Sequence, residues 1–155
     1  MLIVKRQKYL KMELWLFILI SLIVFSVAAY AEKPDAPGAK YLQRFSICKD
    51  VLEKNPMLEK NFFTSQDEKV VTWFKFTYNS TENFKLYWEW IDPQGKLYHR
   101  GEIEMKAGSY TNYRTWYWIK IKDNYASMLP GEWKVKVYID KMLLTEEKFF
   151  IIESL

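Results

Sequence analysis

From residue 62 onward, apolar and polar positions alternate with a period of two, and a helical period is hard to find. Val70, Thr72, Phe74, Phe76 and Tyr78 share one side of a run whose other side holds Trp73 and Lys75. Phe84, Leu86, Trp88 and Trp90 alternate with Lys85, Tyr87 and Glu89, and Leu97, His99, Ile103 and Met105 with Arg100, Glu102 and Glu104. The cleanest case is Trp133, Val135, Val137 and Ile139 against Glu132, Lys134, Lys136 and Tyr138. Each run is rich in β-branched and aromatic residues and reads as a strand with one buried face.

The punctuation agrees. Asp92-Pro93-Gln94-Gly95 places Pro where φ is preset and Gly where φ turns positive. Asn79-Ser80-Thr81-Glu82-Asn83 is a polar connection, and Pro130-Gly131 opens the Trp133 strand. Asp140-Lys141 has the length of a two-residue hairpin, although Lys is a poor substitute for Gly there. About six to eight short strands at this spacing predict an all-β fold, an antiparallel immunoglobulin-like β-sandwich, with a small open barrel as the alternative. Residues 44–58 read as a first strand and a short irregular or helical piece ending at Pro56.

The first 31 residues have a different pattern. Lys5, Arg6, Lys8 and Lys11 precede an uncharged apolar run over residues 14–29, and Ala29-Tyr30-Ala31 offers small residues at −3 and −1 of a cleavage site. This is the pattern of an export signal; an uncleaved anchor is the alternative, and the run is short for a span of roughly 20 residues. Residues 32–44 then read as a polar linker and 45–155 as the domain. Cleavage removes four of 23 basic and one of 19 acidic residues, leaving 19 and 18. A nearly neutral, exported domain excludes nucleic acid as a partner. Membrane contact is expected only through residues 1–31, if they are retained. The expected location is the periplasm or cell envelope, with secretion or anchoring as alternatives.

Little enzyme chemistry is available. One Cys excludes an internal disulfide, and one Cys with one His makes a zinc site unsupported, so no cofactor or metal is expected. Cys48 lies in the alternating stretch Phe45-Ser46-Ile47-Cys48, where a small buried residue fits. Any Ser-His-Asp or Cys-His mechanism needs His99, which sits on the face of Ile103 and Met105 and reads as a core-edge histidine with one hydrogen-bond partner. Glu102 and Glu104, at i and i+2, are about 7 Å apart, a separation compatible with glycoside hydrolysis, yet they lie on a solvated face beside Arg100 and Lys106. Adjacent Glu146 and Glu147 point to opposite faces. Asn79-Ser80-Thr81 fits a glycosylation sequon, and a turn explains it equally.

With 28 aromatic residues in 155, the unusual segment is 110–122. As one continuous strand it puts Arg114, Trp116, Trp118, Lys120 and Lys122 on one face and Tyr113, Thr115, Tyr117, Ile119 and Ile121 on the other. The two isoleucines mark theirs as the core face, leaving two tryptophans and an arginine outside, as in a sugar-stacking platform or a protein hot spot. The preferred expectation for the strand itself is a β-bulge near Trp118 that swaps the faces and buries Trp116, because large aromatics in a small sandwich usually belong to the core.

Phe45-Ser46-Ile47-Cys48-Lys49-Asp50-Val51, Asn55-Pro56, Phe63 and residues 70–76 resemble the opening of an uncharacterised family of exported or membrane-tethered bacterial domains. Arg114-Thr115-Trp116, Pro130-Gly131-Glu132-Trp133-Lys134-Val135 and Phe149-Phe150-Ile151 resemble its later motifs. The resemblance implies an immunoglobulin-like fold and no established activity. It departs from the family at Tyr87-Trp88-Glu89-Trp90, where the family often has His-x-Trp. Together these readings predict a non-catalytic binding module that meets an envelope protein or a glycan through Arg114, Trp116 and Trp118, with Tyr87 and Trp73 as further candidates. A carbohydrate-binding domain is the alternative, and a hydrolase using His99 or Glu102/Glu104 is a distant third.

Overall fold

The structure, a computed structural model, describes residues 36–154. Nine strands follow in order: β1 (Leu42–Leu52), β2 (Asn55–Glu59), β3 (Phe62–Thr64), β4 (Lys69–Ser80), β5 (Phe84–Ile91), β6 (Leu97–Met105), β7 (Gly108–Lys120), β8 (Gly131–Ile139) and β9 (Met142–Ile152). They form a four-stranded sheet, β2-β1-β4-β7, and a five-stranded sheet, β3-β9-β8-β5-β6. Among the described residues only β3 and β9 pair in parallel. Two separate sheets make this a sandwich and not a barrel.

Alternation builds the core. Val70, Phe74 and Phe76 of β4 face Leu86, Trp88 and Trp90 of β5, with Trp133 and Val135 of β8 and Phe149 of β9 in the same cluster. The Phe74 and Trp88 rings lie 5.7 Å apart across the layers. Burying each such side chain contributes roughly 1.5–3 kcal/mol.

The predicted turns form as their residues dictate. The Asp92 carbonyl accepts from Gly95 N–H at 2.9 Å, and Gly95 has φ 80°. The Asp92 carboxylate accepts from the N–H groups of Gln94 and Lys96. At the β8–β9 hairpin Asp140 takes the positive φ, 48°, and its carboxylate accepts from Lys85 N–H. A local Asp can thus replace the expected Gly. Asp67, buried after β3, is paired with Lys49 and Lys60 at 2.7 and 2.8 Å. Burial alone would raise its pKa, but these ammonium groups and the Thr64 N–H carry it down to about 2.

Two expectations change. Residues 44–58 contain no helical piece: β1 runs to Leu52 and turns through Glu53 and Lys54, both left-handed (φ 49° and 61°), into β2. Pro56 is tolerated because β2 is an edge strand. The end of the expected 32–44 linker belongs to the fold. Gly38 N–H donates to the Leu143 carbonyl at 2.8 Å, and β1 starts at Leu42. Gly38 sits so close to β9 that a Cβ there would lie 2.7 Å from Leu144 Cδ2. The expected export segment, 1–31, lies outside the described residues.

Candidate functional site

The site grows from the pairing of β4 with β7. Their register runs unbroken from Lys69↔Lys120 to Phe76↔Tyr113, so no bulge occurs near Trp118. The irregularity lies between Phe76 and Tyr78, opposite Asn112, whose φ is 54°. The preferred bulge is thus overturned, and the continuous strand is what forms: Thr115 and Ile119 are buried on the core side, and Arg114, Trp116 and Trp118 face outward.

On that outer face the register stacks four cross-strand pairs: Lys75 with Arg114, Trp73 with Trp116, Val71 with Trp118, and Lys69 with Lys120. Two apolar pairs are bracketed by two pairs of like charges, an arrangement that costs stability unless something anionic is nearby. Lys69 has Asp50 at 2.7 Å. Among the described residues, Lys75, Arg114 and Lys120 form no ion pair.

The outward tryptophans are not equivalent. Cys48, Val71 and Trp73 form a second small buried cluster on this face, against which Val51 and Trp116 pack. The β1–β2 turn bends over it, and Trp73 Nε1–H donates to the Lys54 carbonyl at 2.9 Å. Trp73, expected as a contact residue, is therefore only 2 % exposed and supports the surface from beneath. Trp116 is half-buried, whereas Trp118 is 50 % exposed with the Lys69 ammonium 6.0 Å from its ring. Cys48 is buried as expected, and burial pushes its thiol pKa up.

Tyr87 belongs elsewhere. It lies on the outer face of the five-stranded sheet beneath the Arg100 guanidinium, 5.6 Å from its ring. That face is charge-compensated: Arg100 pairs with Glu89, Lys85 with Glu102, and Tyr138 donates to Glu89. Burial and the Glu89 carboxylate push the Tyr138 hydroxyl up to about 12. The fold thus brings together Arg114, Trp116 and Trp118 and leaves Tyr87 on the other sheet. Lys75 and Lys120 join the site through a register that no single strand's pattern reveals.

His99 is exposed and stacks on Tyr117, with Nε2 3.2 Å from the Tyr117 hydroxyl. Tyr117 stacks in turn on Trp88 at 5.2 Å. The arrangement needs Gly101, where a Cβ would lie 2.3 Å from the Tyr117 ring. This is the core-edge histidine with one partner that the alternation predicts. Glu102 and Glu104 are both exposed. Among the described residues, no three His, Cys, Asp or Glu side chains are grouped as a metal site would require.

Two clefts run along β7. One, of 590 Å³, takes every residue from Thr111 to Trp116 together with Lys54 and Ile103. The other, of 500 Å³, continues from Tyr117 to Lys120 with Tyr98, His99 and Asn124. A third, of 400 Å³, lies by β1 and β9. Its charged groups are already held: Glu59 by Arg44 and Ser46, Lys60 by Asp67, Lys148 by Glu132, and Glu147 by the Thr145 hydroxyl.

No family model matches the chain, and no curated protein matches it. Among solved structures it is similar to an immunoglobulin-like protein from Pseudomonas aeruginosa, with 13% sequence identity and a TM-score of 0.50. The match covers 72% of this chain and 94% of that one. At this identity the likeness shows the fold alone, and the fold is the immunoglobulin-like sandwich that the strand pattern predicts.

Proposed function

We propose that the chain is an exported, non-catalytic binding module of the cell envelope, with Arg114, Trp116 and Trp118 as its contact surface. The observation that carries this reading is the outward ladder of β4 and β7. A half-exposed Trp118 and a half-buried Trp116 lie between two pairs of cations, of which Lys75, Arg114 and Lys120 form no ion pair among the described residues. Holding an indole in water gains nothing for folding, and opposing like charges cost stability, so a ligand is the simplest compensation. Binding would work by stacking and apolar burial on rings that are already fixed, with the guanidinium supplying direction. No proton transfer is needed, and the His99 ring is engaged with Tyr117. Export rests on the pattern of residues 1–31, which also leaves open retention as an anchor. The partner is an envelope protein or a glycan.

The test is a fluorescence titration against peptidoglycan fragments, oligosaccharides and extended peptides. Saturable binding lost in Trp116→Ala and Trp118→Ala chains that still melt normally supports the surface, and undiminished binding in both removes it. Quenching by an oligosaccharide alone would assign a glycan.

A further inference from the structure

The two clefts have a property that a ligand-binding face lacks. Arg114 and Trp116 point outward and Thr115 inward, yet all three line one cleft. Neighbours on opposite faces of a strand can share a cleft only if it runs along the strand's edge. The second cleft repeats this with Trp118 outward and Ile119 inward. Among the described residues β7 pairs only with β4, so its other edge is open along the whole of both clefts.

Natural sheets blunt such edges, and this protein blunts its others. β2 is five residues long, contains Pro56 and is kinked at Leu58, where φ is 54°. β3 has three residues. β6 carries a charged row, Arg100, Glu102 and Glu104, in which Arg100 pairs with Glu89 and Glu102 with Lys85. From Tyr113 to Lys120, β7 has no Pro, no Gly and no acidic residue, and its ladder with β4 is regular throughout. No carboxylate lines either cleft, whereas Lys54, Arg114 and Lys120 do.

We infer that an extended acidic-apolar peptide segment adds to the open edge of β7 as a fifth strand of the four-stranded sheet. This rests on the binding-module reading and names its partner. Main-chain hydrogen bonds along β7 would provide affinity, and alternate side chains would provide choice. Carboxylates belong opposite Arg114 and Lys120, about 20 Å apart along the strand at roughly 3.4 Å per residue. Aliphatic residues belong opposite Trp116 and Trp118. A second copy of β7 is a poor occupant: aligned over residues 114–120 in either direction, it sets cation against cation.

The probe is the capped peptide Glu-Thr-Val-Thr-Val-Thr-Glu, which presents the same side chains in both directions. It is titrated into the full-length chain with hydrogen exchange as readout. Expected are saturable binding, new amide protection confined to residues 113–120, and affinity lowered about tenfold or more by N-methylation of alternate peptide amides. A Lys-flanked peptide should bind only after Arg114→Glu and Lys120→Glu are made together. No binding at millimolar peptide overturns the inference, as does binding indifferent to N-methylation at every position. A dimer with β7 already protected in the free chain also overturns it, because the edge is then taken by a second copy. The two readings separate on Trp118→Ala. Binding that is lost in this variant but indifferent to N-methylation keeps the aromatic surface and removes the strand. Unaffected binding with β7 protected keeps the strand and removes the aromatic contact.

Discussion

Trp88, Trp90 and Trp133 and Trp73, Trp116 and Trp118 occupy the two sides of one sandwich wall and are held by different means. The first three are fully buried between the sheets. There volume outweighs polarity: Nε1 of Trp88 and Trp90 has no hydrogen-bond partner among the described residues, although an unpaired buried donor costs about 1–3 kcal/mol. The other three stand outside the four-stranded sheet in a graded series, from Trp73 beneath the β1–β2 turn, through Trp116, to Trp118 in water. An indole's depth in this protein follows from what lies above it, and only the outer series has an unoccupied end.

The comparison is most sharply tested at Trp133. Its Nε1–H donates to the Leu129 carbonyl at 2.9 Å, and its ring meets Tyr98 and Phe149. Trp133→Ala should lose roughly 3–5 kcal/mol, enough to unfold much of the chain at 25 °C, as denaturant titration would show. A loss under about 1 kcal/mol would mean that the inner tryptophans are no more structural than the outer ones.

Gly101→Ala comes next. The added methyl would enter the Tyr117 ring, which lies between Trp88 and His99. Ring and backbone must shift, for an expected loss of about 1–3 kcal/mol. Because the penalty is a collision, Gly101→Ala made in a Tyr117→Ala background should cost less than it does alone. Additive losses would place the strain elsewhere.

Trp73→Ala probes the middle of the series. It empties the small outer cluster and frees the Lys54 carbonyl, for an expected loss of about 2 kcal/mol. It should also expose Cys48, whose buried thiol lies 3.2 Å from the Asp50 carbonyl. Modification by a thiol reagent should be slow in the parent chain and clearly faster in the variant. Equal rates would mean that the β1–β2 hairpin, and not Trp73, shields the sulfur.

The same contrast explains what was legible in the sequence. β5 and β8 could be read because each has one apolar and one polar face, the signature of a half-buried strand. β2 and β3 could not. The turn before β2 adopts positive φ at Glu53 and Lys54 without a Gly or Asn to announce it, and β3 is three residues supported by distant β9. At the site, alternation placed Arg114, Trp116 and Trp118 outward, but aromatic size argued for a face-swapping bulge. The conflict arises because a second apolar cluster exists, built by residues of β1 and β4. One strand's pattern cannot reveal a cover supplied by another, nor that Lys75 stands opposite Arg114.

The smallest effect on stability is expected at the end of the series, and it is the most informative. Trp118 is half exposed, its cross-strand neighbour Val71 is already covered, and Lys69 keeps its ion pair with Asp50 whether or not the ring is present. Trp118→Ala should therefore change the unfolding free energy by no more than about half a kcal/mol. A melt lowered as far as that of Trp73→Ala would make Trp118 a third member of the outer cluster and close the graded series into a second core. An unchanged melt, with peptide or glycan binding lost in the same preparation, would separate the two roles cleanly. Trp73 would then be the ring that builds the surface, and Trp118 the ring that the surface presents.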